Sequence, residues 1–215
     1  MLLALARHQA LMGVSTYFFS LEMSIEQMWL RLACIHRKDL SLWHLLNDPH
    51  SDSELELLAD LATNELIKFS PLFCEDGEFK GLERTARGNI NPGSRSMLFL
   101  DYLGLLSMQG YNAVERYQLI SEVSRRLKQL ARELKIPIAC AVQLNRQIEG
   151  RKQKGPILSD LSDSGDIEKN ADAVFMLTRE NKDCLDVHIC KNRNGPTGSY
   201  NLAFDGPRVA VEEWD

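Results

Sequence analysis

Long apolar runs are missing from this 215-residue sequence. A membrane-crossing helix needs about 20 consecutive apolar residues, and the apolar opening Met1–Ala6 is broken by Arg7 and His8. That stretch is also too short for the core of a secretion signal, so a cytoplasmic protein without a membrane partner is expected. Paired cysteine chemistry is missing too. Cys34, Cys74, Cys140, Cys184 and Cys190 contain no CxxC spacing, and His8, His36, His44, His50 and His188 stand at no metal-ligand spacing from them. Neither a disulfide framework nor a zinc site is expected. Cys74, Cys140 and Cys190 lie in or beside apolar runs and read as small buried hydrophobes. Nor is there an excess of positive charge, since Lys and Arg total 25 against 30 Asp and Glu, a net charge of −5. A general nucleic-acid coat protein would be basic, so any nucleic-acid contact must be local or shared between subunits. Internal repeats and low-complexity tails are absent as well.

What remains is ordinary globular material, 44% hydrophobic and 26% charged, enough for one domain with a real core. Its order is informative. Residues 2–12 read as a helix with no N-cap before it, and a helix that opens a chain uncapped suggests a missing natural beginning. Val14–Leu21 reads as a buried strand. Ser24 opens a capping box with Gln27, followed by Ile25, Met28, Trp29, Leu32 and Ile35 at helical spacing. An amphipathic helix is expected over Asp52–Lys68, a short strand over Pro71–Cys74 and a polar helix over Lys80–Asn89. Asn91-Pro92-Gly93 is a turn. Ser96–Leu100 is a buried strand ending on Asp101. The longest helix is expected over Asn112–Lys135, with a stripe of Val114, Tyr117, Ile120, Val123, Leu127, Leu130 and Leu134. Ile136–Val142 is a strand ending on Gln143, and residues 144–170 read as a long polar loop of the kind that carries function. Strands are then expected over Asp172–Thr178, Leu185–Cys190, Ser199–Phe204 and Arg208–Val211. Alternation followed by a meander predicts an α/β fold, a mainly parallel sheet flanked by helices with antiparallel edge strands near the C-terminus.

In such sheets ligands gather at the carboxyl ends of the strands. Apolar runs here end on Glu22, Asp101 and Gln143. A carboxylate placed directly after buried apolar residues is costly unless something uses its charge. Hydrated magnesium is such a user, because it takes oxygen ligands and keeps its waters; a turn or helix cap is the alternative for Asp101 alone. A nucleotide site also needs a phosphate cradle, usually GxxxxGK[ST]. The sequence contains no Gly-Lys, Lys-Ser or Lys-Thr pair, so that loop is absent rather than disguised. In P-loop folds it stands before the first helix, which here would be just before Met1.

The strings FFSLEMSIEQ (18–27), MLFLDYLGLL (97–106), ISEVSRRLKQLARELKIPI (120–138), VQLNRQIEGR (142–151), LSDLSDSGDIEKNADAVFML (158–177) and CKNRNGPTGSYNLAFDG (190–206) occur in one order over nearly the whole chain. In them the chain resembles the carboxy-terminal, RecA-like P-loop NTPase motor domain of DnaB-type replicative helicases, lacking its Walker A loop. The resemblance implies ATP and Mg2+ as cofactors. It implies that Glu22 polarises the attacking water, that Asp101 holds the metal through water, and that Gln143 senses the γ-phosphate. Lys191 and Arg193 match a basic pair that reaches into a neighbouring subunit's site, where a cation stabilises charge on the transferring phosphoryl group; a basic hairpin turn is the bland reading of KNRNGP. Single-stranded DNA, the neighbours of a homo-hexameric ring, and a primase or helicase loader are the implied partners.

Residues 160–168 (DLSDSGDIE) match a loop that grips the DNA backbone, with Gly165 where main-chain N–H approaches a phosphate. Ser162 and Asp163 stand where the family often has arginine and glutamate, and a lost cation weakens phosphate binding and its salt dependence. Arg146, Arg151, Lys152 and Lys154 lie just upstream and offset part of that loss. The family's collar domain and linker helix have no counterpart in residues 1–215, so poor ring formation and no meaningful ATPase activity are expected of the chain alone. A non-catalytic DnaB-like paralogue, acting in binding or assembly, is the competing reading. A different RecA-like ATPase of recombination or repair is disfavoured by FSLEM, LDYL, QLNR and KNRNGPTG together.

Overall fold

The computed structural model describes residues 1–47, 51–72, 77–111, 116–144, 156–161, 165–179 and 181–213. Helix α1 (Leu2–Leu11) runs into strand β1 (Ser15–Ser20), then α2 (Ile25–His36), α3 (Leu42–Asn47), α4 (Asp52–Asp60) and β2 (Phe69–Leu72). Next come α5 (Phe79–Asn89), β3 (Ser96–Asp101), α6 (Arg116–Leu134) and β4 (Ile138–Cys140). The chain closes with α7 (Gly165–Asn170), β5 (Ala173–Thr178), β6 (Cys184–Asn192), β7 (Gly198–Asp205) and β8 (Ala210–Glu213).

The first four strands form a parallel sheet in the order β2-β1-β3-β4, and the last four form an antiparallel sheet in chain order. The antiparallel strands therefore pair among themselves rather than extending the parallel ladder. They still share its core, because Val174 and Met176 of β5 pack with Leu98 and Leu100 of β3.

The two central strands are apolar on both sides because helices cover both faces. Phe18 pairs in register with Phe99, and Phe19 with Leu100. Alternation then sends Phe18 and Phe99 to one face, with Leu3, Ala6 and Ala10 of α1 and Met28 and Leu32 of α2. Phe19, Leu98 and Leu100 go to the other, with Leu82 and Ala86 of α5 and Val123, Leu127 and Leu130 of α6. The rings of Phe18 and Phe99 stack with centroids 6.1 Å apart and planes 14° apart.

Several expected boundaries shift. The helix expected over Asp52–Lys68 is α4 followed by a π-helical turn, Leu61–Glu65, and the strand after it starts early, at Phe69. Helix α3 was not expected. It is short, and its buried side is only Leu42 and Leu45, too little for a periodic signal. The expected polar helix α5 buries Phe79, Leu82 and Ala86. Strand β4 stops at Cys140 instead of Val142. In the α6 stripe Tyr117 is out of place, 53% exposed, and Val114 lies outside the described residues. Arg208 belongs to the turn before β8, not to the strand. The expected loop over 144–170 contains α7. Cys34 and Cys184 are buried, and Cys140 and Cys190 are half-buried; Cys74 lies outside the described residues. Among the described residues no helix is long and apolar enough to cross a membrane.

The stacked phenylalanines provide a packing test. Phe99→Ala is expected to cost about 3–5 kcal/mol in urea unfolding. Phe175→Ala, whose ring is 56% exposed, is expected to stay within about 0.5 kcal/mol. Equal losses at the two positions would contradict the assignment of the core.

Candidate nucleotide site and basic edge

The parallel register ends with Ser20 beside Asp101, so the turn after β1 and the end of β3 meet at the carboxyl edge of the sheet. The N–H of Leu21 donates to the Asp101 carbonyl at 2.8 Å. The Ser20 hydroxyl closes the next turn, donating to the Met23 carbonyl at 2.7 Å and accepting from the Met23 N–H at 2.9 Å. Ser24 then caps α2 by accepting from the Gln27 N–H at 3.3 Å. Glu22 stands at the exposed tip between these two clasps.

Asp101 is half-buried. Burial, and then the carboxylate of Glu22, push its carboxyl above the usual range, while the Met1 amino group and the Arg31 guanidinium pull it back. The Met1 amine is itself pushed down by burial, with Asp101 raising it and Arg31 lowering it. The amino end of α1 and Arg31 therefore share the space above Asp101. A helix amino end carries unsatisfied N–H groups and partial positive charge, and no side chain caps this one. Arg31 adds a second unsatisfied donor, because its Nε is buried without a hydrogen-bond partner among the described residues.

These groups fit a magnesium-bound polyphosphate in part. No group of three or more His, Cys, Asp or Glu among the described residues is placed to hold a metal. A metal here would lean on one or two carboxylates, its own waters and phosphate oxygens, which is how magnesium is usually held. The orphaned Arg31 Nε suits an anionic oxygen. A lysine-bearing phosphate loop, by contrast, is not among residues 1–215.

Gln143 is exposed, beyond the end of β4. It lines a small cleft with Tyr102, Leu103, Gly104, Arg116 and Val142. The N–H of Leu103 donates to the Ala141 carbonyl at 3.1 Å, which ties this cleft to the segment just after Asp101. Gly104 is closely approached there: a Cβ would lie 3.0 Å from the Tyr102 ring and 3.2 Å from the Arg116 guanidinium, so both side chains would have to shift slightly.

Lys191 and Arg193 lie elsewhere, at the far end of β6. Lys191 is inside the strand, opposite Val174, and its Nζ donates to the Glu168 carbonyl on α7. Arg193 is exposed, with Nη1 3.1 Å from Asp172 Oδ1. The following turn is shaped by Asn192, whose Nδ2 donates to the Pro196 carbonyl at 3.2 Å. Gly195 is forced by the same side chain, since a Cβ there would lie 2.8 Å from Asn192 Nδ2. Gly165 opens α7, and a Cβ at that position would meet nothing within 4 Å, so crowding inside the chain does not demand glycine there. Arg146, Ser162 and Asp163 fall outside the described residues.

A family model described as the DnaB-like helicase C terminal domain matches residues 1–213. The chain belongs to that family. It is 33% identical over 202 residues to the replicative DNA helicase DnaC of Bacillus subtilis, covering 88% of this chain and 44% of the relative. It is 36% identical over 205 residues to the replicative DNA helicase DnaB of Leifsonia xyli, covering 89% and 43%. The chain thus spans less than half the length of these relatives. Among solved structures, a DnaB-like replicative helicase described with its interactions with primase superposes with a TM-score of 0.85 at 28% identity, over 99% of this chain and 54% of that one. A second solved structure, described as an ATPase domain, superposes with a TM-score of 0.86 at 28% identity, over 99% and 79%.

For a DnaB-like C-terminal domain, the site contains groups that residue patterns alone did not single out. Arg31 sits on α2 among Met28, Leu32 and Ile35, where an arginine reads as a surface residue on the margin of an apolar stripe. The signal that could have found it is its position one turn from the middle of that stripe, where burial is expected. Ser20 reads as the polar end of a strand, and only the geometry exposes its double hydrogen bond.

The raised Asp101 carboxyl has a consequence for stability. A carboxyl raised by folding costs stability once it ionises, so the cost is absent at low pH and grows as pH rises through its folded value. Asp101→Asn is therefore expected to raise thermal stability at pH 7, by on the order of 1 kcal/mol, and the gain is expected to vanish below about pH 4. A variant less stable than the parent at pH 7 would contradict the placement of Asp101 among opposed charges.

Proposed function

We propose that residues 1–215 are the ATP-driven motor domain of a replicative DNA helicase, acting in the cytoplasm on single-stranded DNA and unwinding duplex during replication. The observation that carries this reading is the placing of the turn that bears Glu22 beside Asp101 at the carboxyl edge of the sheet, close to the orphaned Arg31 donor. Membership of the DnaB-like family supports it.

In this reading Asp101 would hold a hydrated magnesium ion, which would supply charge neutralisation on the phosphate oxygens. Glu22, exposed at the tip of its clasped turn, accepts hydrogen bonds from the attacking water and polarises it. Arg31 donates its unpartnered Nε–H to an anionic oxygen near Asp101. Gln143, joined to β3 through the Leu103–Ala141 bond, responds to the terminal phosphate and passes that response into the segment after β4. Lys191 and Arg193 serve a neighbouring subunit's site in a hexameric ring, where charge supplied in trans ties hydrolysis to subunit geometry. Gly165, the first residue of α7, offers its main-chain N–H to a DNA phosphate, and Arg146, Ser162 and Asp163 precede it in the sequence. A primase or a helicase loader is the protein partner this reading implies.

A second reading is a non-catalytic relative that binds or assembles; GxxxxGK[ST] does not occur within residues 1–215, so the two readings are separated by experiment. Lysine and N–H groups of that loop supply much of the binding and transition-state stabilisation in phosphoryl transfer. The polypeptide of residues 1–215 is accordingly expected to hydrolyse ATP at background rate with or without single-stranded DNA. The same polypeptide preceded by a GxxxxGK[ST] segment is expected to gain magnesium-dependent hydrolysis that Glu22→Gln lowers about a hundredfold or more. Hydrolysis in the extended protein that Glu22→Gln leaves intact would sink the motor reading, and none at all would favour the binding protein.

A further inference from the structure

Arg193 follows the last residue of β6, and its side chain is 50% exposed. A long side chain in such a position ordinarily samples many rotamers, and ordering it has an entropic cost. Here it is held twice by one residue. The main-chain N–H of Arg193 donates to the Asp172 carbonyl at 2.8 Å, and its guanidinium lies 3.1 Å from Asp172 Oδ1. The other carboxylate oxygen, Oδ2, is taken by the Nζ of Lys128 on α6. Lys128 is also the main reason that the Asp172 carboxyl stays below its usual range.

Asp172 is itself anchored. It stands two residues after the end of α7, and α7 is tied to α6 by Ser121 Oγ donating to Asp166 Oδ2 at 2.7 Å and Asn170 Nδ2 donating to Ser124 Oγ at 2.9 Å. Lys191 reaches the same unit through the Glu168 carbonyl. Both cations of the basic pair are thus fastened to α7 or to Asp172 just beyond it, and through them to α6.

We propose that Asp172 is a positioning residue: shared between Lys128 and Arg193, its carboxylate sets the Arg193 guanidinium beside Lys191 in the orientation from which the pair serves a neighbouring subunit. The inference rests on the reading of Arg193 as a group lent in trans, but the contact exists within a single chain and is read there. A lone exposed ion pair would contribute little. This one is reinforced by the main-chain bond and by a second cation from another helix, which is the circumstance in which such a pair gains definition.

The test uses the isotope-labelled 215-residue chain and follows the Nη–H signals of Arg193, whose Nη1 makes the contact, and their exchange with water. Asp172→Asn is expected to speed that exchange about fivefold, the scale of one reinforced surface pair, with the thermal midpoint unchanged. Asp172→Glu, which keeps the charge, is expected to recover part of the protection. Lys128→Met, which leaves the whole carboxylate to Arg193, is expected to slow the exchange. Equal exchange rates in the parent, Asp172→Asn and Lys128→Met would overturn the proposal, and Lys128→Met decides alone where Asp172→Asn does not fold. That outcome leaves the motor reading intact, because hydrolysis by the extended protein tests it separately. Failure of the hydrolysis test beside an Arg193 signal governed by Asp172 removes the trans role and keeps the positioning contact.

Discussion

The parallel ladder between β1 and β3 joins Ser20 to Asp101 at its last rung, and the chemistry at the carboxyl edge inherits its geometry from that rung. Side chains alternate along a strand, so a slip of one residue would exchange the two faces of the sheet. Phe18 and Phe99 would leave the α1–α2 side, and Phe19 and Leu100 would leave the α5–α6 side. The cost of that exchange pins the register, and the register in turn sets where Glu22 stands relative to Asp101. Packing deep in the sheet thereby fixes the position of two carboxylates that contribute nothing to packing themselves.

The basic pair obeys a different constraint. Lys191 and Arg193 are located by an antiparallel strand whose own ladder could tolerate small shifts, and β6 already carries an extra residue, Cys190, where its register against β5 shifts between Val174 and Phe175. Their definition comes from polar contacts with α7 and Asp172 rather than from the core. One edge of the domain is thus held by apolar register and the other by charge. The charged edge depends on ionic strength, and the apolar one does not.

Much of the fold was legible in the residues. Strands β1 and β3 are short continuous apolar runs, and α6 repeats its apolar residues at steps of three and four, which are the strongest patterns a sequence offers. Legibility failed where burial is partial. Strand β4 pairs in register only through Ile138, Ala139 and Cys140, although its apolar run continues to Val142; beyond Cys140 the contact with β3 and the residues after it is reduced to the hydrogen bonds of Ala141 with Leu100 and Leu103. Helix α3 was invisible because two buried leucines make no period. At the site, Glu22 and Asp101 were readable because a carboxylate after buried residues is conspicuous. Arg31 was not, since the cue lies in its surroundings in space. Asp172 read as the first residue of a strand, and its link to Lys128, 44 residues earlier in the chain, leaves no trace in local pattern.

The turn between β7 and β8 reaches back to the first third of the chain. The Leu42 N–H at the start of α3 donates to the Pro207 carbonyl at 3.0 Å, and Val209 packs against Leu30, Cys34 and Leu45. Arg208, only 7% exposed, is kept in that turn by Asp205 at 2.7 Å and Glu212 at 2.8 Å. Helix α2, which carries Arg31 and begins two residues after Met23, is therefore braced from behind by the β7–β8 hairpin. The turn holding Glu22 leans on a wall drawn from a distant part of the sequence, so the carboxyl edge gains that support only once the two regions have docked.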